Sequence, residues 1–250
     1  MMADPIHQFI IEPIISLHVG GIDLSYTNSS LWMTISVLVS VTFMTLATWK
    51  KAMVPGRVQV AAEMMYGFIA NMIRENIGTR GMEYFPLVFT VFMIVFIGNM
   101  LGMIPWSFTY TSHLIVTAAL ALMIFFMVVI IGIYRHGTHF FHLFLPPGVP
   151  VWLLPLIIPI EIVSFLARPI TLSVRLFANM MAGHLVLKVF AGFSVAMIGA
   201  FGTAGLFMGI VPTLFNVALI TFEFLIAFLQ AYVFTILTCI YLKDTIEIGH

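Results

Sequence analysis

The stretch ITLSVRLFANMMAGHLVL, residues 170–187, lies inside an apolar run that extends from residue 151 to residue 198. A helix crosses the hydrocarbon core of a bilayer with about 20 residues. The run holds about 48 residues, which is too many for one upright crossing. No polar turn interrupts it between Pro169 and Phe190. The run is therefore predicted to be one steeply tilted helix rather than several short crossings.

A second apolar run, 211–242, is also longer than an upright crossing requires. Three closely spaced glycines separate the two runs: Gly199, Gly202 and Gly205. Glycine tolerates the backbone conformations that a sharp turn needs. The region 151–242 is therefore predicted to be a long tilted helix hairpin.

The composition identifies the class of protein. Hydrophobic residues make up 62% of the 250 residues, charged residues 8%, and the mean hydropathy is +1.13, whereas soluble domains carry about 25% charged residues. The chain is therefore an integral membrane protein. Its net charge is zero and its basic residues are scattered, which excludes the basic stripe of a nucleic-acid binder. The single cysteine, Cys239, excludes a disulfide framework and a cysteine-based metal site.

Three further apolar segments have the length of ordinary membrane spans: 31–49, 84–104 and 114–134. The segment 50–83 between the first two is amphipathic and holds five of the ten basic residues. It is predicted to lie along the cytoplasmic membrane surface. The predicted fold class is an all-α polytopic membrane protein with five crossings plus a surface helix.

Lysine and arginine orient the chain. No basic residue precedes residue 31, and five lie in 50–80. The positive-inside rule then places the N-terminal segment 1–30 outside and the C-terminus in the cytoplasm. No basic stretch precedes an apolar stretch at the N-terminus, so we predict no cleavable signal peptide. The whole chain, 1–250, is interpreted as a single membrane domain.

Ionisable side chains at bilayer depth cost about 2.5–3.5 kcal/mol on insertion scales, so each needs a reason. Glu161, Arg168 and Arg175 recur every seven residues and share one helix face. Asn179 continues that face one turn later. The last helix carries a second polar stripe at the same spacing, formed by Asn216, Glu223 and Gln230.

Two interpretations of the stripes remain open. They could pair with each other and lock two helices together, as intramembrane hydrogen bonds do. However, the two runs hold one more cation than anion. If Arg168 pairs with Glu161 and the Lys188 side chain extends to the membrane surface, Arg175 remains without a counterion. No acidic residue lies within ten positions of it on either side. Since a guanidinium does not lose its proton, Arg175 implies an acidic partner, which a second subunit could supply.

His184 and Glu223 allow two interpretations as well. They could form a hydrogen bond between helices, or a proton relay, since imidazole titrates near physiological pH and a buried carboxylate can be raised towards it. His136, His139 and His142 have a spacing that resembles metal ligands, but Gly137 interrupts any helix there and no acidic residue is near. We predict no metal and no cofactor, and find no motif for chemistry on a bound substrate.

Two stretches carry a family resemblance: RPITLSVRLFANMMAGH, and FEFLIAFLQAYVFTILTCIYL after it. Together with GNMLGMIP in the second span, they closely resemble subunit a of the rotary F-type ATP synthase. The resemblance implies a proton-translocating stator subunit in a bacterial inner membrane, with the c-ring and peripheral-stalk b-type subunits as partners. It implies that Arg175 faces the ring carboxylate with Asn179 and Gln230 near it, and that the half-channels are lined by Glu161, His184 and Glu223.

One departure from the family pattern stands out. Many bacterial members carry a glutamate at the position of His184 and a histidine at that of Glu223, whereas mitochondrial members and their bacterial relatives have the two exchanged, as here. The exchange points to an alphaproteobacterial-like source. The alternative function is a self-contained secondary transporter or ion channel, which usually shows two interrupted helices in matching halves. A purely structural membrane subunit is the third interpretation, and it would tolerate an uncharged replacement of Arg175.

Overall fold

The computed structural model describes residues 9–16, 18–19, 22–23, 25–49, 54–104, 107–137, 140 and 151–246. Most of them are helical. The first four helices are α1 Asn28–Trp49, α2 Arg57–Asn76, α3 Phe85–Gly102 and α4 Leu114–His136. Leu154–Ile246 is helical apart from Gly202, where φ 53° and ψ −125° break the helix. The two parts are α5, Leu154–Gly202, and α6, Phe207–Ile246.

Five of these helices have the length and hydropathy of membrane spans, namely α1, α4, α5, α6 and α3 with the short 3-10 turn that precedes it. The predicted spans are confirmed to within a few residues. Local signals explain the ends. Pro86 occupies the first turn of α3, where its missing N–H leaves no hydrogen bond unmade. Gly137 follows α4 with φ 56°, a conformation that residues with a side chain seldom adopt.

The last two spans form the predicted hairpin. The 49 residues of α5 extend over about 70 Å at 1.5 Å per residue, more than twice the thickness of a hydrocarbon core of about 30 Å. The helix therefore crosses the membrane strongly tilted. Of the three candidate glycines, Gly202 is the residue that breaks the helix.

α2 is the surface helix. Its buried side chains include Ile69, Met72 and Ile73, which recur at the spacing of one helix face. This face packs on the bundle, where the Phe68 ring lies 5.8 Å from the Tyr232 ring of α6. The other face is exposed. The prediction covered 50–83, of which Lys50 and Lys51 lie outside the described residues.

The densest packing is among α3, α4, α5 and α6, where Phe92, Val95, Ile124 and Phe234 are almost completely buried. The outward faces of the spans instead expose large apolar side chains such as Leu38 and Ile130. Such an apolar surface is stable against lipid. The spans are therefore all α-helical, with a closely packed interior and an apolar outer surface.

Short strands precede α1, and the sequence pattern did not predict them. Pro13–Ile15 pairs antiparallel with Tyr26–Thr27, and His18–Val19 with Ile22–Asp23. The Asn28 side chain at the start of α1 donates a hydrogen bond to the carbonyl of Ile10 at 3.1 Å. Strands of two or three residues carry too little periodicity to be recognised in a sequence.

Candidate functional site

The antiparallel hairpin of α5 and α6 brings the two polar stripes together. Because the helices are antiparallel, a residue of α5 that lies closer to Gly202 contacts a residue of α6 that also lies closer to Gly202. The three cross-helix contacts are Arg168–Asp244, Asn179–Gln230 and His184–Glu223. The stripes therefore form three polar layers at different depths in the membrane.

The first layer is an ion pair near the ends of the hairpin. Arg168 Nη1 donates to Asp244 Oδ2 at 2.7 Å, and the guanidinium lies 5.2 Å from the Tyr241 ring centroid. The pairing of Arg168 with Glu161, which the charge count considered, is therefore wrong. Glu161 lies two turns away on the same helix, about 10 Å along the axis, whereas Asp244 faces Arg168 directly across the hairpin.

The second layer contains Arg175, Asn179 and Gln230. Asn179 Nδ2 donates to Gln230 Oε1 at 2.8 Å. The Gln230 side chain is buried, and its Nε2 has no hydrogen-bond partner within the described part of the chain. Arg175 lies one turn before Asn179 on the same helix face. It is exposed, and no described residue forms a hydrogen bond or salt bridge with it. The layer thus presents a fixed positive charge at the surface of the hairpin.

The third layer is the predicted acid–imidazole pair. His184 Nδ1 lies 3.8 Å from Glu223 Oε1, which is longer than a hydrogen bond but close enough for strong electrostatic coupling. Glu223 is only 3% exposed, and neither of its carboxylate oxygens has a hydrogen-bond partner among the described residues. An ionised carboxylate in this position would be costly. The arrangement therefore favours a proton held by the pair.

Gly183 makes the close approach of Glu223 sterically feasible. A Cβ atom at residue 183 would lie 2.5 Å from Glu223 Oε1 and 2.9 Å from its Cδ, well inside van der Waals contact. Because Gly183 has no side chain, the Glu223 carboxyl group can pack directly against the backbone of α5. The sequence pattern did not single out Gly183, because glycine is common in membrane-spanning helices and its position alone does not reveal which side chain it accommodates.

A cavity of about 580 Å³ lies beside His184. α5 and α6 contribute His184, Lys188 and Asn216 to its wall, and Met103 contributes from the residue that directly follows α3. Asn216 Oδ1 is buried and has no partner within the described residues. The cavity is large enough for several water molecules, and its wall carries the polar groups that water requires.

Thr109 completes the surroundings of His184. Its Oγ1 lies 3.1 Å from His184 Nε2 and 3.1 Å from the Gly102 carbonyl oxygen. Thr109 belongs to the connection between α3 and α4, 75 residues before His184. No local pattern in the sequence identifies this contact, nor the contact of Asp244 with Arg168.

Of the six predicted site residues, five take part in the second and third layers, namely Arg175, Asn179, His184, Glu223 and Gln230. Glu161 does not join them. It is partly buried on α5, two turns before Arg168 and on the side of the hairpin that ends at Asp244. No hydrogen bond or salt bridge links it to a described residue.

The weaker motifs serve packing and local structure. Gly98 and Gly102 have the four-residue spacing of a close-packing motif, and a Cβ atom on either would collide with the side chain of Tyr110 or Thr109, respectively. Their partner is the connection that follows α3 rather than a second long helix. His136 Nε2 lies 3.2 Å from the Ile246 carbonyl oxygen. His139 and His142 lie outside the described residues.

The fold and the site define a class: a polytopic membrane protein whose tilted hairpin carries a buried acid–imidazole pair and an exposed arginine. A sequence profile of the family described as ATP synthase A chain matches residues 30–243, and the chain belongs to this family. Proteins named ATP synthase subunit a are similar over their whole length. That of Rhizobium etli (strain CIAT 652) is 56% identical over 249 residues, covering 100% of this chain and 99% of the relative.

Two further relatives carry the same name. The protein of Rhodospirillum rubrum is 55% identical over 246 residues, covering 98% of this chain and 99% of its own length. The protein of Agrobacterium fabrum (strain C58 / ATCC 33970) is 53% identical over 250 residues and covers 100% of both chains. The predicted family resemblance is confirmed, and so is the predicted likeness to alphaproteobacterial members.

Proposed function

We propose that this chain is the proton-translocating stator subunit of an ATP synthase membrane sector. It provides two half-channels to the carboxylates of a rotating c-ring, and Arg175 separates them. It acts as one membrane domain, residues 1–250, in a bacterial inner membrane, with peripheral-stalk b-type subunits as further partners. Family membership supports the general role. The residues of the hairpin support the detailed assignment.

The exposed Arg175 carries the proposal. A permanent charge on a membrane-spanning helix costs several kcal/mol if it faces lipid. The described part of the chain offers it no counterion, while the neighbouring amides of Asn179 and Gln230 bond to each other. An acidic group on a second subunit would supply the missing counterion. A ring carboxylate that moves past Arg175 is such a group, and it is ionised only while it is near the guanidinium.

The cavity beside His184 supports an entry path. Water in the cavity would bring protons to the imidazole, and the Glu223 carboxyl lies 3.8 Å beyond it. Either group alone would cost free energy as a charged side chain at this depth, but together they share one proton. By the positive-inside rule, this end of the hairpin faces the outside. We therefore assign His184 and Glu223 to the outer half-channel.

The exit path is assigned to the other end of the hairpin. Glu161 is partly accessible and lies towards the end that carries Asp244, which the basic residues of 50–80 place on the cytoplasmic side. A proton released from the ring would pass Glu161 on its way to the cytoplasm. The five crossings then leave the segment before α1 outside and the end of α6 inside.

The separation of the two paths follows from charge. The guanidinium of Arg175 favours the ionised ring carboxylate and repels a proton that would pass directly from one half-channel to the other. A proton crossing 100 mV releases about 2.3 kcal/mol. This energy reaches the rotor only if the proton travels with the ring.

Replacement of Arg175 tests the proposal. We expect Arg175→Ala in the complete reconstituted complex to abolish ATP synthesis driven by an imposed proton gradient, and to let protons leak between the half-channels. Arg175→Lys should leak less, because an ammonium group still repels protons while it is charged. It should also fail at coupling, because it lacks the planar guanidinium and can lose its proton when desolvated. Membrane insertion should persist in both, since Arg175→Ala removes a charge that is costly in a membrane span and Arg175→Lys leaves the number of charges unchanged.

Arg135→Ala provides a matched control. Arg135 lies at the end of α4, where it donates an exposed hydrogen bond of 3.1 Å to Tyr84 Oη and forms a long contact of 3.8 Å with the exposed Glu83, so its loss should leave synthesis near normal. Near-normal synthesis in Arg175→Ala would refute the separator role and favour a structural role for the charge. Proton conduction by vesicles that contain only this chain would favour the self-contained transporter or channel.

A further inference from the structure

The connection between α3 and α4 folds back into the bundle and fixes Thr109. Ser107 Oγ donates to the Leu101 carbonyl at 2.6 Å, and Ser112 Oγ donates to the Thr109 carbonyl at 2.6 Å. Tyr110 reaches Ser36 of α1, with the two hydroxyls 2.9 Å apart. Burial raises the pKa of the Tyr110 phenol, an effect that the Ser36 hydrogen bond partly offsets, so it stays neutral. The Thr109 backbone is therefore held on both sides.

The Thr109 hydroxyl lies between two polar groups, and its own chemistry determines the direction of both hydrogen bonds. It has one hydrogen and two acceptor lone pairs. The Gly102 carbonyl, 3.1 Å away, only accepts, so it takes that hydrogen. The contact with His184 Nε2 at 3.1 Å is then a hydrogen bond only if Nε2–H is the donor. Both bonds form together in that single arrangement.

The other ring nitrogen follows from this assignment. A neutral imidazole carries one proton, so with Nε2 protonated, Nδ1 has a free lone pair. Nδ1 faces Glu223 Oε1 at 3.8 Å. A carboxylate and a lone pair that face each other in a buried site repel, whereas a proton placed between them removes the repulsion.

We propose that Thr109 is a positioning residue for proton transfer: it holds His184 in the Nε2–H form and directs the basic Nδ1 at Glu223. The proposal rests on the proposed function, in which this pair lies in the entry path. In the transfer step the Nδ1–H bond of an imidazolium that cavity water has protonated breaks, and an O–H bond forms on the Glu223 carboxylate, which leaves a neutral imidazole and a neutral carboxyl group. Once Glu223 has passed its proton on, the next proton from water restores the imidazolium. Nε2 keeps its proton throughout, so His184 takes up and releases the transferred proton at Nδ1.

Gly102 supports the assignment independently. A Cβ atom at this position would lie 2.8 Å from Thr109 Cγ2 and 3.2 Å from its Oγ1. The absence of a side chain lets the threonine approach the helix end closely enough to bond its carbonyl. The carbonyl at the C-terminal end of α3 has no partner within its own helix, so it is available to accept.

Thr109→Val tests the proposal because it keeps the shape and removes the hydroxyl. Thr111→Val is the matched control: Thr111 lies in the 3-10 turn that directly follows Thr109, is equally buried, and its hydroxyl has no partner within the described part of the chain. Thr109→Ser keeps the hydroxyl and should rescue. The full-length chain, with ¹⁵N-labelled histidine and reconstituted in lipid, is measured by solid-state NMR, and His184→Gln identifies the His184 signals.

We expect the wild-type ring to be protonated at Nε2. In Thr109→Val the ratio of the Nδ1–H to the Nε2–H form should rise about three- to ten-fold, the equilibrium factor of one ordinary hydrogen bond. Thr109→Ser and Thr111→Val should retain the wild-type ratio. A wild-type ring protonated mainly at Nδ1, or a ratio that Thr109→Val leaves unchanged, would overturn the assignment.

Proton flux in the complete complex separates this inference from the proposed function. Thr109→Val should lower gradient-driven proton flux about three- to ten-fold, and Thr109→Ser should recover most of it, while Thr111→Val stays at the wild-type level. A tautomer shift without loss of flux refutes the positioning role alone. Normal flux in His184→Gln would instead remove the pair from the proton path and refute that part of the proposed function.

Discussion

Gly183→Ala is the most local test of the acid–imidazole pair. The new Cβ atom would lie 2.5 Å from Glu223 Oε1, 2.9 Å from Cδ and 3.2 Å from Cγ. To reach ordinary van der Waals separation, the carboxyl group must withdraw by about 1 Å. It is the flexible end of a side chain, so it moves more easily than the helix backbone. The contact of 3.8 Å with His184 Nδ1 is then lost.

The substitution should affect function more than stability. Overpacking typically costs about 1–3 kcal/mol, and alanine regains up to about 1 kcal/mol of helix propensity relative to glycine, so the free energy of unfolding should fall by no more than about 2 kcal/mol. A misplacement of about 1 Å at a reacting group can lower a rate by about 100-fold. We therefore expect gradient-driven proton flux to fall by about 10- to 100-fold while the complex still assembles.

The assay is proton flux in vesicles that contain the complete complex, with thermal unfolding measured in parallel. Gly192→Ala is the matched control, because it lies on the same helix and its Cβ would meet nothing within 4 Å. In a second background, Glu223→Asp shortens the acidic side chain by one methylene. There, Gly183→Ala should cause little further loss, which is the signature of coupled residues. Near-normal flux in Gly183→Ala, or an equal loss in Gly192→Ala, would refute the reasoning.

Three further predictions concern the same hairpin and the orientation of the chain. Glu223→Gln should lower proton-driven ATP synthesis, and the exchange His184→Glu with Glu223→His should recover part of the loss; a double variant no better than the sum of the single ones contradicts coupling. Asp244→Asn should lower the stability of the complex by no more than about 1 kcal/mol, because the ion pair of Asp244 is about one-third exposed, and a thermal shift that implies several times more would contradict this. A cysteine at Thr27 should react with an impermeant reagent from the outside only, and labelling from the cytoplasm alone would refute the topology. Cys239, the chain's single cysteine, is fully buried and should add no background labelling.

Several features of the fold could be predicted from local sequence. The five spans follow from segment length and hydropathy, the surface helix from the amphipathic pattern of α2, and the break at Gly202 from the glycines between two long apolar runs. These features follow from the bilayer as the surrounding medium, because it requires every span to have mostly apolar side chains and a backbone that is hydrogen-bonded within the helix. The short strands before α1 were not predicted, because strands of two or three residues carry too little periodicity.

The stripe pattern also predicted most of the candidate site. Residues seven apart on a helix share a face wherever the helix lies, so the two stripes and the meeting of His184 with Glu223 could be anticipated once two facing helices were assumed. The partner of Arg168 could not. Asp244 lies beyond the apolar run used to count charges, and the pairing depends on how the two helix ends align.

The sequence by itself determined that this protein crosses the membrane five times and carries polar residues that need partners, because hydropathy and helical periodicity are properties of the chain alone. Only the tertiary structure decided which atoms meet. The place of Thr109 against His184 Nε2, and of Glu223 in the space that Gly183 leaves open, depends on the packing of segments far apart in the chain. Contacts of this kind depend on distances of tenths of an ångström, which no local pattern of residues specifies.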